Sequence, residues 1–107
     1  MIEITSEEEL QELITNSKQL VVDFYATWCR PCVKLGEYLN SIKDQDKYVH
    51  YVFCKVNVDD ENLSSIVSSH NIVSLPHVEF YTESKLKHSV SGFDQNKINN
   101  YLNSLSE

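Results

Sequence analysis

Apolar residues recur along this chain with two different periods, and the switches between them mark out alternating strands and helices. Ile2 to Thr5 reads as a short strand. Ser6 and Glu9 have the spacing of a capping box, after which Leu10, Leu13 and Ile14 share one face of a helix that ends near Asn16 or Ser17. Leu20 to Ala26 is a mostly apolar run rich in β-branched and aromatic residues, the composition of a strand covered on both faces. Leu35, Leu39 and Ile42 return to helical spacing and predict a second helix that starts at Cys29, with Gly36 as a candidate kink. Tyr48 to Val58 holds a third strand, and Leu63, Ile66 and Val67 give a helix around Asn62 to Ser69. His77 to Thr82 and Leu86 to Ser91 form a hairpin across Glu-Ser-Lys. Asp94 is a good N-cap for a last helix carrying Ile98, Tyr101, Leu102 and Leu105 on one face.

The order βαβαβαββα defines an α/β fold class. Strands separated by helices pair in parallel through right-handed crossovers, and the terminal hairpin must add an antiparallel edge. The expected architecture is a mixed sheet sandwiched by helices, with chemistry gathered at the carboxyl ends of the parallel strands. One of those ends leads directly into the cysteines of Ala-Thr-Trp-Cys-Arg-Pro-Cys-Val-Lys, residues 26 to 34.

Composition narrows what those cysteines can be. At 107 residues, without repeats, linkers or low-complexity tracts, the chain reads as one domain, 1–107, able to bury a core without cross-links. Three cysteines are an odd count and too sparse for a secreted disulfide framework. The acidic start lacks the basic and apolar regions of a leader, and no apolar run approaches the roughly 20 residues of a membrane span. The expectation is a soluble cytoplasmic protein, monomeric and without a membrane partner. A formal charge of -7 with scattered Lys and Arg disfavours nucleic acid as a partner.

A Cys-x-x-Cys pair can be half of a metal clip, a structural staple or a working redox centre. A zinc site needs a second ligand pair, and Cys54 with His50, His70, His77 and His88 offers no knuckle spacing. A permanent disulfide needs an oxidising route that the N-terminus does not suggest. At the first turn of a helix, a Cys29 thiolate would face unpaired backbone N–H groups and the positive end of the dipole, both of which lower its pKa. Cys32, one turn on, is placed to attack a mixed disulfide formed at Cys29. Pro31 suits the first helical turn, where no N–H is needed.

Two further positions stand out. Asp23 interrupts the apolar strand six residues before Cys29, where a carboxylate is costly unless protonated or paired. It is either a solvent-facing strand residue or a proton donor and acceptor beneath the sulfurs, its pKa raised by burial. Lys55, in the apolar run Val52 to Val58, either lies near Asp23 or snorkels to the surface. Pro76 in Ser-Leu-Pro-His-Val cannot donate to a ladder and marks a strand start or a turn. Cys54 reads as a small apolar filler.

Together these residues resemble the thioredoxin family over essentially the whole chain. Val-Val-Asp-Phe-Tyr-Ala-Thr-Trp-Cys-Arg-Pro-Cys-Val-Lys looks like the family's active-site segment, and Lys-Val-Asn-Val-Asp, residues 55 to 59, like its third strand. Ser-Leu-Pro matches its cis-proline loop and Gly92 the glycine after its last strand. The resemblance implies the thioredoxin fold, a central five-stranded mixed sheet flanked by four helices, and a protein disulfide reductase recycled by a thioredoxin reductase. It carries no cofactor on the chain. By the same resemblance Cys29 is the nucleophile, Cys32 the resolving thiol and Asp23 the buried acid/base serving Cys32. Trp28 shapes the surface beside the pair, and a cis Pro76 blocks metal binding and shapes a groove where a disulfide-containing protein substrate pairs with the backbone near Leu75.

This sequence departs from the family pattern at Arg30, where glycine is usual, at Glu37 in place of a helix-kinking proline, at His77, where threonine is common, and at the Glu-Ser-Lys turn. These departures bear on substrate range more than on chemistry. They also motivate an alternative, an interaction module that keeps the fold but has a secondary or no redox role.

Overall fold

The computed structural model describes residues 1–105, so positions 106 and 107 of the expected domain lie outside the described residues. The strands are β1 (Ile2–Glu3), β2 (Gln19–Tyr25), β3 (Tyr51–Asn57), β4 (His77–Thr82) and β5 (Lys85–Ser91). The α-helices are α1 (Glu7–Asn16), α2 (Arg30–Ile42), α3 (Ser64–Ser69) and α4 (Gln95–Ser104). All five strands join one sheet in the order β1-β3-β2-β4-β5. β1, β3 and β2 are parallel, while β4 and β5 are antiparallel additions. The mixed sheet and the βαβαβαββα order expected from periodicity are the observed ones.

The side-chain period of two along β2 divides the core. Leu20, Val22 and Phe24 pack with Leu10 and Ile14 of α1 and Ile66 of α3 on one face. Val21 packs with Leu35 and Leu39 of α2 and Ile98 and Leu102 of α4 on the other. Each such side chain contributes roughly 1.5 to 3 kcal/mol when fully buried, which is why the central strand fixes the register. By the same alternation Asp23 faces the α2 side, beneath the cysteines.

Helix starts follow the side chains that satisfy their free N–H groups. The Ser6 hydroxyl accepts from the Glu9 N–H at 3.2 Å, but the Glu9 carboxylate reaches one residue further back than a capping box requires and takes the Thr5 N–H at 2.7 Å. At α4 the Asp94 carboxylate accepts from the Lys97 N–H at 3.0 Å.

Several details differ from expectation: β1 ends at Glu3 rather than Thr5, and β2 and β5 each start one residue early, at Gln19 and Lys85, with β2 ending at Tyr25. β3 starts at Tyr51 rather than Tyr48, because Tyr48 lies in a 3₁₀ turn, Asp46–Tyr48, with its ring edge-on to Tyr51 and Phe53. The helix expected around Asn62 is split: Asp60 caps a 3₁₀ turn, Glu61–Leu63, and α3 follows. α2 runs unbroken through Gly36, where an added Cβ would meet nothing within 4 Å.

Thr82 pairs with Lys85, so the hairpin turn is only the two residues Glu83 and Ser84, at φ 48° and 72°. Two successive left-handed residues define the turn that Asn-Gly favours, and L-residues with a Cβ pay there. Replacing Glu83-Ser84 by Asn-Gly is expected to raise stability by about 1 to 2 kcal/mol, even after loss of the Ser84 hydroxyl bond to the Thr15 carbonyl. Urea unfolding reads this as a higher midpoint at unchanged slope. A midpoint that does not move would contradict it.

Candidate active site

β2 ends at Tyr25, and the turn through Ala26, Thr27 and Trp28 delivers Cys29 to the N-cap of α2. Pro31 sits in the first turn of that helix. Cys29 and Cys32 are joined as a disulfide with their Cα atoms 5.2 Å apart. The Cys32 N–H donates to the Cys29 sulfur at 3.3 Å, so a helix-terminal donor already points at the first sulfur. A thiolate at Cys29 gains from that donor and from the dipole of a 13-residue helix. Both cysteines are nearly covered, at 7% and 4% exposure, while their neighbours Trp28 and Arg30 are exposed.

Trp28 is 71% exposed but held in place, its indole N–H donating to Asp59 Oδ2 at 2.8 Å. Sequence reasoning did not single out Asp59. Only its position just beyond β3, at the same end of the sheet as the cysteines, could have pointed to it.

Asp23 is 2% exposed and pairs in register with Lys55 on β3 and Val78 on β4. The solvent-facing alternative is thereby excluded. Its Oδ1 has no hydrogen-bond partner among the described residues. Burial pushes its carboxyl from 3.8 up to about 7, against the opposing pull of Lys55 and with a smaller push from Glu3. A cavity of about 250 Å³ lined by Asp23, Ala26, Cys32, Gly36 and Lys55 connects the acid with the second cysteine. The two readings of Lys55 turn out to be compatible. Its ammonium acts on Asp23 yet extends to Glu3 Oε1 at 3.6 Å and lies 5.4 Å from the Tyr25 ring centroid.

The Leu75–Pro76 peptide bond is cis, as the resemblance implied. Leu75 packs with Ala26, Cys29 and Cys32, and the Pro76 carbonyl accepts from the Gly92 N–H at 2.7 Å. Gly92 has φ 84°, so backbone conformation rather than space selects glycine there. Trp28, Cys29, Val58, Ile72, Val73 and Leu75 line an apolar groove of about 340 Å³ beside the first sulfur. Cys54 is fully buried on the opposite face of the sheet with its thiol pushed up by burial, and it takes no part in the site.

A second polar cluster was not foreseen. Glu79 is 3% exposed on β4 and sits between His70, His77 and Tyr81. The His70 Nδ1 and the Tyr81 hydroxyl each lie 2.7 Å from Oε1, and the His77 Nε2 lies 3.4 Å from Oε2. Burial alone would push this carboxyl up, but the hydrogen bonds from His70, His77 and Tyr81 outweigh it and hold the group at about 2, ionised. The sequence signal was a charged residue inside the apolar run His77 to Thr82, the same signal that drew attention to Asp23. Among the described residues no group of His, Cys, Asp or Glu is arranged to hold a metal ion, and no helix is long and apolar enough to cross a membrane.

Comparison with known proteins agrees with this geometry. The family model described as Thioredoxin matches residues 1–104. A thioredoxin of Mycoplasmoides gallisepticum is 39% identical over 93 residues, spanning 87% of this chain and 89% of that protein. Mouse thioredoxin is 33% identical over 97 residues, 89% of each. The crystal structure of a thioredoxin from Malassezia sympodialis superposes with a TM-score of 0.89, at 28% identity over 98% of this chain and 92% of its own.

Proposed function

We propose that this chain, which belongs to the thioredoxin family, reduces protein disulfides by dithiol exchange through Cys29 and Cys32. The observation that carries the proposal is the cysteine pair at disulfide distance on a helix N-terminus, with a buried carboxyl beside it whose Oδ1 has no hydrogen-bond partner among the described residues. In the reduced protein the Cys29 thiolate attacks one sulfur of a substrate disulfide, and the other substrate sulfur leaves as a thiolate. Asp23, with a pKa near 7, accepts the Cys32 proton through the cavity they share. The Cys32 thiolate then attacks the Cys29 sulfur, closing the internal disulfide and expelling the second substrate thiolate. Two electrons pass to the substrate, and protons from solvent and Asp23 complete its two thiols.

Trp28, Pro31, Leu75 and Pro76 support this site by shaping the turn and the groove, while Lys55 tunes Asp23. The substrates are disulfide-containing proteins, and the oxidised pair is returned to the dithiol by a thioredoxin reductase. The setting is the cytoplasm, with the chain acting as a single monomeric domain. An insulin-reduction turbidity assay with dithiothreitol as electron source tests the activity; turbidity that rises no faster with the purified protein than with dithiothreitol alone would refute it.

Arg30 is exposed at the start of α2 and bears on partner choice more than on redox poise. A unit charge about 7 Å from the thiolate is worth roughly 0.6 kcal/mol in water and about twice that at an effective dielectric near 40. At about 30 mV per 1.4 kcal/mol, Arg30→Gly is expected to lower the reduction potential by only some 10 to 25 mV. Equilibration against a dithiothreitol couple measures it. A shift beyond about 60 mV would mean that Arg30 acts by more than its charge.

A further inference from the structure

We propose that Glu79 is a positioning residue whose carboxylate clips together the two ends of the 71–76 loop and thereby sets the groove wall that faces Cys29. The proposal rests on the reading of that groove as the place where a protein disulfide binds. Its own basis is the Glu79 cluster, which lies on the far side of the sheet from Asp23.

The loop leaves α3 at His70, the C-cap residue, and turns through Asn71 at φ 55°. It ends at the cis Leu75–Pro76 bond, after which His77 opens β4. One carboxylate therefore holds both stems, Oε1 taking His70 and Oε2 taking His77. Tyr81 adds a second donor to Oε1, and the His77 Nδ1 lies 3.3 Å from the Ser91 hydroxyl on β5. Phe24 packs against both imidazoles, with ring centroids 5.5 Å and 5.7 Å away, so the clip is braced from the central strand.

The loop needs such a restraint. Val73 is 89% exposed, and Val73, Ser74 and Leu75 donate no backbone hydrogen bond to any described residue. Among the described residues the loop's backbone hydrogen bonds lie at its ends, Asn71 N–H to Ser68, Ile72 N–H to Val67 and Gly92 N–H to the Pro76 carbonyl, and between them it is held by the packing of Ile72 and Leu75 alone. Well-packed apolar residues usually serve stability as well as a buried charged cluster does. What the carboxylate adds is direction, because one donor from each end of the loop, His70 and His77, converges with Tyr81 of β4 on two oxygen atoms.

The test compares wild type with Glu79→Leu, which keeps apolar volume and removes the clip. Amide hydrogen exchange at Asn71, Ile72 and Gly92 is expected to accelerate at least about fivefold, with the amides of α2 unchanged. In insulin reduction KM is expected to rise about tenfold with kcat nearly constant, while reduction of bis(2-hydroxyethyl) disulfide, too small to use the groove wall, changes less than about twofold. Unchanged exchange and unchanged KM in the folded variant would overturn the proposal, as would an equal loss on both substrates. His70→Ala cuts only the α3 stem, and a smaller change of the same pattern is expected where Glu79→Leu does not fold. A wild type unable to reduce insulin sinks the reductase reading, while the exchange comparison still decides for or against the clip.

Discussion

Cys29→Ser is expected to abolish disulfide reduction, lowering the insulin rate at least about 10³-fold. The hydroxyl that replaces the thiol does not ionise near neutral pH, and the Cys32 N–H and the helix N-terminus then have no thiolate to stabilise. Cys32 cannot take over the attack, because it is more deeply covered and lies inside the first turn of α2. Cys54→Ser is the control. Cys54 is fully buried on the other side of the sheet, so its removal should leave the rate unchanged. Retention of activity by Cys29→Ser, or its loss in a folded Cys54→Ser, would reassign the reacting sulfur.

The second large effect concerns Asp23 and has opposite signs for stability and for activity. Its carboxyl titrates near 3.8 in an unfolded chain and at about 7 in the fold. Between those values the folded state holds a proton that the unfolded state has released, so stability falls as pH rises. The group's contribution is fully present below 3.8 and is lost as pH rises through about 7. Asp23→Asn removes this dependence. The oxidised variant is expected to match wild type near pH 3.5 and to exceed its stability by on the order of 4 kcal/mol at pH 9. Urea unfolding at the two pH values measures the difference. The same variant should slow insulin reduction at pH 7 at least about tenfold, since no base remains for the Cys32 proton. A variant with no extra stability at pH 9 would show that Asp23 is not held neutral by burial.

Much of this could be read in the chain, for identifiable reasons. The period of two along Leu20 to Ala26 and the 3.6-residue period after Cys29 each report burial, and burial against a single sheet leaves few topologies open. Asp23 was legible because a carboxylate among β-branched residues conflicts with its surroundings. Glu79 presents the same conflict on β4, but its resolution was hidden: His70 comes from another element, and no local spacing shows that its ring reaches the carboxylate. Asp59 was missed for the same reason, its bond to Trp28 spanning 31 positions. Tyr48 was misplaced because aromatic packing in a 3₁₀ turn imitates the composition of a strand. Glu83 and Ser84 concealed their turn, since neither residue type favours the left-handed conformation that both adopt.

The central claim is that Cys29 attacks and Cys32 resolves, and covalent trapping measures this directly. Cys32→Ser, reduced and then mixed with a disulfide-bonded protein substrate, cannot complete the second step. Intact-mass analysis without reductant is expected to show one substrate chain joined to the protein, released by dithiothreitol and mapped by peptide sequencing to Cys29. Absence of any adduct, or its attachment at Cys54, would contradict the account.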